Sequence, residues 1–568
     1  MTEAAAQKPG FRKLIASLGQ RKTGIMFVFG FSAGLPYALL LGTLYAWLSD
    51  AKVDLETMGV FSLIGLAYAF KFLWSPVVDR LKIPGLHRLG RRKSWLIPAQ
   101  FALGAIFIAL SLMNPQTSLG WFSLLAGLGA FASATQDVVI DAWRVDVADE
   151  VATVEMLSTV YQLGYRIAAL AGGALALFLA DEYNWPVVYA LMGGLMLAVG
   201  CVTFFAPDTE AMDVAEKRDE LREAGALQPK VRAIALAIVG VFWAWALITV
   251  GVFMVQSLGS DPDARPDSVA FIRTMGPLIV IATVIVPSVI AAILEHWRRS
   301  GRYVIEKAVD VQSASDRIID HGYRALLLPL TDIMGRLGWA AILVLALVLS
   351  YRITDNIWGS FAYPFYLDEL QYTKSEVAVA SKFFGVGMTM LGIALGGVLF
   401  TYVGRMATLF FGAVTAAASN LLYAELAAGG AGIDLVAKYS GFSWLVGLFG
   451  ADDRMARLML AITGENLAGG LAGAAFVAYL SAITSQRYSA VQYALLSSLT
   501  FLVGTLGRGA LGEMIATQGY YTVFLFTASI GLLAVILVAF EWIRQKRAGI
   551  ADAQPIELIE SEADAKSA

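Results

Sequence analysis

The chain has 568 residues, of which 58% are hydrophobic and only 15% are charged. This composition is far more apolar than that of a soluble globular protein, so it excludes that class and predicts an all-α polytopic membrane protein. The net charge of −3 gives no reason to expect nucleic-acid binding, and the single cysteine, Cys201, excludes intrachain disulfides and thiolate metal clusters.

A helix needs about 20 apolar residues to cross a bilayer, and the chain contains about fourteen stretches of that kind. The first stretch follows a basic N-terminal segment and has full spanning length, so we expect a retained helix and not a cleaved signal peptide. The predicted spans lie near residues 24–48, 56–79, 93–113, 120–143, 156–180, 185–206, 232–257, 271–294, 338–367, 375–402, 406–428, 456–484, 488–514 and 520–542.

Basic residues in the loops predict how the chain is oriented. The loop of residues 80–93, after the second span, contains six lysines and arginines, whereas residues 114–118 after the third span contain none. Because basic loops tend to remain in the cytoplasm, this pattern places the N-terminus there. An even number of spans then returns the C-terminus to the same side.

A weak internal repeat predicts two six-helix halves. Residues 47–50, at the end of the first span, resemble residues 366–369, at the end of the ninth. The seventh and eighth spans are then an insertion between the halves. The predicted organisation is a first half at 1–206, an inserted helix pair with cytoplasmic loops at 207–337, a second half at 338–544 and a polar cytoplasmic tail at 545–568.

The fourth predicted span ends in charged residues, Asp137, Asp141 and Arg144, whose spacing puts them on one helix face. A carboxylate in hydrocarbon costs about 2.5–3.5 kcal/mol, so this face should meet the bundle interior or a watery path. The alternative is that only Asp137 lies within the membrane, while Asp141 and Arg144 form a structural pair at its surface.

Acidic residues are the candidate proton carriers, because the three histidines fall outside the predicted spans. The candidates are Asp137, Glu465 and Asp355, which we expect at different depths of the membrane. Arg352 lies three residues before Asp355, and mutual neutralisation of the two is the alternative to a functional role.

Cationic and aromatic residues within the spans are the candidate substrate contacts. Lys71 and Arg166 are candidates for holding an anionic substrate group, although Lys71 could instead extend toward the membrane surface. Pro36 should bend the first span and free a backbone carbonyl, a feature of binding sites in broken helices. Tyr37 and Trp358 offer flat faces that suit sugar rings, and an interfacial aromatic belt is the alternative.

Motifs in both predicted halves form a set that can be compared with known families. The first half contains GFSAGLP at 30–36, FKFLWSPVVDR at 70–80, GRR at 90–92 and QDVVIDAW at 136–143, and the second contains ENLAGG at 465–470, AFVA at 475–478 and SAVQYALL at 489–496. Together they resemble the AmpG muropeptide permease family. The resemblance covers both halves and implies a major facilitator fold.

The resemblance implies a proton symporter that imports anhydromuropeptides, the GlcNAc-anhydroMurNAc peptides released from peptidoglycan, across the bacterial inner membrane. Such transport serves cell-wall recycling and, through it, beta-lactam resistance. Asn466 and Gln492, in the second-half motifs, are further expected substrate contacts. We expect a monomer in the lipid bilayer, whose partners are protons and a glycopeptide, with no cofactor and no metal.

The segments 79–80 and 90–92 also resemble the superfamily's cytoplasmic gating motif. A carboxylate at a helix end that faces basic loop residues can hold the halves together on one side. Asp141 or Asp146 would complete this latch. The expected gating residues are Asp79, Arg80, Arg91, Arg92, Asp141 and Arg144.

Other functions remain open from the sequence. One is a facilitator-type carrier of another anionic solute, acetyl-CoA-like or siderophore-like, and another is a non-transporting membrane sensor with the same fold. A membrane-embedded enzyme acting on a lipid-linked sugar would need acid, base or metal ligands clustered at one membrane surface. The sequence contains no such cluster, so we expect no enzyme.

Overall fold

The structure, a computed structural model, describes residues 16–51, 67–80, 83, 85–207, 227–257, 268–304, 314–352 and 362–549. Its regular structure is helical, apart from one isolated β-bridge between Leu227 and Val304. The prediction of an all-α protein is therefore confirmed.

Within the described residues, six helices precede residue 207. They are α1 (Arg21–Ala38, continued by a π-helical turn Leu39–Thr43 and by Leu44–Asp50), α2 (Ser75–Arg80), α3 (Lys93–Ser111), α4 (Leu119–Asp146), α5 (Val154–Leu170, continued by Ala171–Leu175 and Ala176–Glu182) and α6 (Trp185–Thr203). The π-helical turn follows Pro36, which cannot donate the backbone hydrogen bond of a regular helix.

Four helices follow in the described part of the predicted inserted segment. They are α7 (Pro229–Ser257), α8 (Ser268–Val280, continued by Ile281–Ile285 and Val286–Arg299), α9 (Ala314–Leu326) and α10 (Leu328–Leu337). Trp243 of α7 packs edge-on against Phe72 of the first half at 6.3 Å between ring centroids.

The remaining helices form the second half. They are α11 (Ala340–Ser350), α12 (Ala362–Pro364, continued by Phe365–Glu369), α13 (Lys374–Val377, continued by Ala378–Phe384 and Gly385–Val403), α14 (Arg405–Ala427), α15 (Ala431–Tyr439), α16 (Phe442–Gly447), α17 (Asp453–Ile483) and α18 (Ser489–Arg547). Gly519 breaks α18, with φ of 77° and ψ of 168°.

The count of about fourteen spans is not confirmed within the described residues. Eleven of their helices are long and apolar enough to cross a membrane, or up to twelve if α10 and α11 count as one broken span. These two helices meet at 105° at Gly338, whose φ of 53° and ψ of −133° favour glycine. Residues 56–66 of the predicted span 56–79 and residues 353–361 of the predicted span 338–367 lie outside the described residues.

The connections between helices define two ends of the bundle. We call the end that carries the loop between α2 and α3 the loop end. Hydrogen bonds from Lys22 to the Val147 carbonyl and from Lys93 to the Ala206 carbonyl lie there. The opposite end is marked by the hydrogen bond from Trp185 to Asp50.

Two glycines allow α1 and α5 to cross in backbone contact. A Cβ atom added at Gly30 would lie 2.1 Å from the Tyr161 carbonyl oxygen, and one at Gly164 would lie 2.2 Å from the Phe27 carbonyl oxygen. Small residues of this kind permit close helix association in membranes, where no hydrophobic effect draws the helices together. The contact fixes the position of Tyr161 and of its neighbours on α5.

We expect Gly30→Ala to destabilise the protein by about 1–3 kcal/mol, because the added methyl group forces the two backbones apart. The thermal unfolding midpoint of purified protein, followed by tryptophan fluorescence, measures this effect. Gly24→Ala is the matched control on the same helix, since a Cβ atom there meets nothing within 4 Å. Equal midpoints for the two variants would contradict the packing argument.

Candidate functional site

Four charged side chains form one cluster, which we call the charge cluster, where α4 meets the turn before α2. Lys71 Nζ lies 3.2 Å from Asp137 Oδ2 and 3.5 Å from Asp141 Oδ2. Arg144 Nη2 donates a 2.9 Å hydrogen bond to Asp141 Oδ1. Two cations and two carboxylates thus neutralise one another, which limits the cost of burying charge.

The spacing of the α4 residues explains the cluster. Asp137, Asp141 and Arg144 share one helix face, as the sequence predicted, and Lys71 reaches them from the 3₁₀ turn Lys71–Leu73. Asp141 and Arg144 pair with each other inside the protein, where the exposed fractions of their side chains are 6% and 0%. The structure places Lys71, a predicted substrate contact, with these α4 carboxylates.

Exposure falls along the charge cluster from one end to the other. The exposed fraction of the side chain is 16% for Asp137 and 8% for Lys71, whereas Arg144 is fully buried. Asp137 is therefore the most exposed member of the charge cluster, and Arg144 is the most deeply buried.

A neutral polar contact holds α4 against α1 beside the charge cluster. Pro36 has no N–H, so the Ser32 carbonyl lacks its usual helical donor. Gln136 Nε2 donates to that carbonyl at 2.7 Å, and Ser32 Oγ donates to Gln136 Oε1 at 2.6 Å. The carbonyl that Pro36 was expected to free is thus bound within the protein, next to Asp137.

Arg144 connects the charge cluster to the second half. Its Nε donates a 3.0 Å hydrogen bond to Ser481 Oγ of α17. Its guanidinium carbon lies 4.9 Å from the ring centroid of Tyr161 in the first half and 4.9 Å from that of Tyr493 in the second. These two cation–π contacts make Arg144 a contact between the halves as well as a partner of Asp141.

A second set of polar contacts, which we call the latch, joins the halves at the loop end. Arg92 Nη1 lies 3.0 Å from Asp79 Oδ1, and Arg92 Nε lies 2.7 Å from Asp146 Oδ2. Arg92 Nη2 donates to Ser489 Oγ at 2.7 Å, and Ser489 Oγ donates to Asp146 Oδ1 at 2.7 Å. Arg91 also pairs with Asp79.

The structure assigns the predicted gating residues to two different groups. Asp146, and not Asp141, lies with Asp79 and Arg92 in the latch, whereas Asp141 lies with Arg144 in the charge cluster. The side chain of Arg80 lies outside the described part of the chain.

Several residues of these contacts were missed by the sequence analysis. Ser481, Ser489 and Tyr493 are uncharged, so a search for charged residues within the spans does not find them. The last two fall in the motif 489–496. Glu155 and Arg405 form a further ion pair between the halves at 3.3 Å. Both stand at the start of a helix at the loop end, and no local pattern in the sequence pairs them.

The first half also contains a group of aromatic residues near Arg166. Tyr37 packs edge-on against Tyr68, with ring centroids 5.2 Å apart, and lies 6.1 Å from the ring of Tyr165. Tyr68 donates a 2.7 Å hydrogen bond to Ser133. Tyr37, Tyr165 and Arg166 are all half-buried.

In the second half, the predicted acid Glu465 is half-buried on α17 and accepts a hydrogen bond from Tyr423. The hydroxyls of Tyr423 and Tyr366 share a 2.6 Å hydrogen bond. The neighbouring Asn466 accepts a 2.8 Å hydrogen bond from Thr389. Asp355 and Trp358 lie outside the described residues.

Comparison with known families identifies the class of protein to which the charge cluster and the latch belong. The sequence model of the Major Facilitator Superfamily matches residues 16–307, about half of the chain. The chain belongs to the Major Facilitator Superfamily. The facilitator fold predicted from the motifs is confirmed, and membership indicates a transporter and not an enzyme.

Individual relatives also agree with the resemblance seen in the motifs. This facilitator is 28% identical over 523 residues to the anhydromuropeptide permease of Escherichia coli strain K12, an alignment that covers 91% of this chain and 79% of that protein. It is 26% identical over 517 residues to the putative transporter AmpG 4 of Rickettsia conorii, covering 91% and 95%.

Solved structures support the fold of this facilitator. The proton:xylose symporter XylE aligns with a TM-score of 0.52 at 11% identity over 97% of this chain and 98% of that one. FucP in the outward conformation aligns with a TM-score of 0.52 at 12% identity over 91% and 98%. At such identities the likeness concerns the fold alone.

The remaining predicted substrate contact of this facilitator, Gln492, lies at the loop end and not beside Arg166. Its side chain bonds to Ser485, Pro329, Asp332 and Arg336. Among the described residues, no group of three or more His, Cys, Asp or Glu side chains is arranged to hold a metal ion.

We expect Lys71→Gln to destabilise the facilitator by about 3–5 kcal/mol, because it leaves two buried carboxylates facing one cation. Adding Asp137→Asn should restore most of that loss, since the charge cluster is then neutral again. The thermal unfolding midpoint in detergent measures both effects.

The matched control for Lys71→Gln is Lys22→Gln. Lys22 pairs with Asp149, whose side chain is 53% exposed. An ion pair this exposed contributes about 1 kcal/mol or less to the free energy of unfolding. A double variant no more stable than Lys71→Gln would contradict the neutral-cluster interpretation.

Proposed function

We propose that this facilitator is a proton-coupled importer of anhydromuropeptides in the bacterial inner membrane. The cargo is suggested by the names of its relatives, the anhydromuropeptide permease and the AmpG transporters. The observation that carries the coupling proposal is the charge cluster, in which one accessible carboxylate is linked through buried charges to a contact between the halves.

The basic residues of the 80–93 loop support a cytoplasmic position for the loop end. The hydrogen bonds from Arg92 to Ser489 and from Arg144 to Ser481 then close the cytoplasmic side. Import requires these bonds to break once cargo and proton have entered from the other side.

The coupling step follows from the neutrality of the charge cluster. A proton bound at Asp137 removes one of the two negative charges that Lys71 faces. Lys71 then interacts mainly with Asp141, where it competes with Arg144. A weaker hold on Arg144 loosens its bond to Ser481 and its contacts with the two tyrosine rings. Proton binding thereby favours opening at the loop end.

The tyrosines around Arg166 are the proposed contacts of the cargo. Aromatic rings bind the apolar faces of sugars, and a half-buried arginine can pair with a peptide carboxylate. Asn466 and Glu465 offer polar groups on the second half. We assign Gln492 to the gate and not to the cargo site, because its amide is already bonded at the loop end.

Uptake into membrane vesicles tests the cargo. Right-side-out vesicles that contain the protein should accumulate labelled anhydromuropeptide when a proton gradient is imposed, and should lose that ability when the gradient is dissipated. If the vesicles accumulate an acetyl-CoA-like or siderophore-like anion and no muropeptide, that anion is the cargo and the muropeptide assignment is wrong. Binding of muropeptide without any uptake would favour a sensor.

We expect Asp137→Asn to abolish gradient-driven accumulation, because amide cannot take up and release a proton. Counterflow exchange of labelled for unlabelled cargo should persist, since exchange needs movement of the loaded carrier but no net proton transfer. Both rates are measured in the same vesicles.

Asp434→Asn is the control for the coupling test. Asp434 pairs with Arg457, and its side chain is 38% exposed, away from the charge cluster. If the Asp137→Asn protein still accumulates cargo with the pH dependence of the parent protein, Asp137 is not the coupling residue. The coupling role would then belong to Glu465 or Asp355.

We expect Arg166→Gln to weaken binding of a muropeptide with free peptide carboxylates by about tenfold, the loss of one charge-assisted contact. An amidated analogue should lose much less, and Arg166→Lys should retain part of the affinity for the charged cargo. Isothermal titration of the purified variants gives the dissociation constants. Equal losses for the two ligands would indicate a structural role for Arg166.

A further inference from the structure

The turn between α17 and α18, residues 484–488, is held from two sides. On one side lies the latch, in which Ser489 contacts Arg92 and Asp146 of the first half. On the other side lies α10 of the inserted segment. Since this turn must move when the loop end opens, its second set of contacts bears directly on gating.

Arg336 of α10 makes the principal contacts with the turn. Its Nη1 donates at 3.1 Å to the carbonyl of Ile483, the last residue of α17. A cation is favoured at that position, because the final carbonyls of a helix lack helical partners and carry partial negative charge. Its Nη2 donates at 3.1 Å to Gln492 Oε1. The Arg336 side chain is only 3% exposed.

Gln492 completes the contact and uses the whole capacity of its amide. Its oxygen accepts from Arg336 and, at 2.8 Å, from the backbone N–H of Ser485. Its nitrogen donates to the Pro329 carbonyl at 2.9 Å and to Asp332 Oδ2 at 2.8 Å. An amide has two acceptor sites and two donors, so all are occupied. Such complete pairing in a buried side chain specifies one arrangement of α10 against the turn.

Contacts with other helices of the inserted segment hold α10 in place. Arg299 of α8 donates to the Gly335 carbonyl, and Arg232 of α7 pairs with Asp320 of α9 at 2.7 Å. The apolar residues Leu328, Ile333 and Leu337 of α10 are buried. Because α7 also packs on Phe72, these contacts connect the turn to the first half by a second route.

We propose that Arg336 is a positioning residue of the transport cycle, through which the inserted segment holds the loop-end gate closed. Arg336 and Gln492 keep the 484–488 turn where Ser489 meets Arg92 and Asp146. Loss of these bonds favours the open state at the loop end. The role depends on the facilitator fold and not on the cargo or the coupled ion.

The alkylation rate of a single cysteine at the interface between the halves tests this role. Thr159 is 4% exposed, and a Cβ atom at Gly397 of the second half would lie 2.7 Å from its Cγ2. In a Cys201→Ala background, Thr159→Cys should react with a maleimide only when the halves separate at the loop end. The assay uses the full chain in membranes without cargo or gradient. Its result therefore does not depend on whether the proposed function is correct.

We expect Arg336→Gln to raise the alkylation rate at Thr159→Cys about tenfold, the effect of losing charge-assisted hydrogen bonds. Arg336→Lys should give a smaller rise, because one ammonium group cannot reproduce the two directed bonds of the guanidinium. Arg457→Gln is the control, since Arg457 pairs with Asp434 near the start of α17, at the opposite end of that helix from the 484–488 turn. It should leave the rate unchanged.

Local opening must be separated from general unfolding. Ala126→Cys, fully buried within the first half, should stay unreactive in the Arg336→Gln protein. Should that protein fail to fold, Gln492→Met provides the second variant and should raise the rate at Thr159→Cys likewise. A folded variant at either position whose Thr159→Cys reacts at the parent rate, or more slowly, overturns the proposal.

Discussion

Charge buried in a membrane bundle has to be neutralised nearby, and the arrangement of this protein depends on how that is done. Lys71, Asp137, Asp141 and Arg144 compensate one another within a few ångströms. A change in the protonation of one member alters the balance of the others, because buried charges are screened less than charges in water. In the proposed mechanism, this balance converts proton binding at Asp137 into a rearrangement of side chains.

Arg144 connects the charge cluster to both halves of the bundle. Arg144 is bonded to Asp141 of its own helix and to Ser481 of the other half, and its guanidinium contacts one tyrosine ring from each half. A residue that contacts both halves responds to the charges in one half and also stabilises the contact between the two halves. The latch around Arg92 and the contacts of Arg336 reinforce the same end of the bundle, so closure is distributed over several weak and reversible bonds.

The inserted segment is more than a spacer between two repeats. Its helices α7 and α8 contact the bundle, and α10 turns through 105° into α11, which begins the second half. The glycine at 338 permits this change of direction. In the proposal for Arg336, a segment that lies between the predicted halves in the chain acts on the gate at the loop end.

The sequence by itself determined the class of protein, the family and the face of α4 that carries charge. These follow from short-range rules: the cost of polar groups in lipid, the length of a span and the spacing of residues on one helix turn. Only the tertiary structure decided the partners. It placed Asp146 in the latch and Lys71 beside the α4 acids, and it brought Ser481, Ser489 and Tyr493 across from the other half. Residues more than three hundred positions apart meet through the packing of whole helices, and no local pattern in the chain encodes that distance.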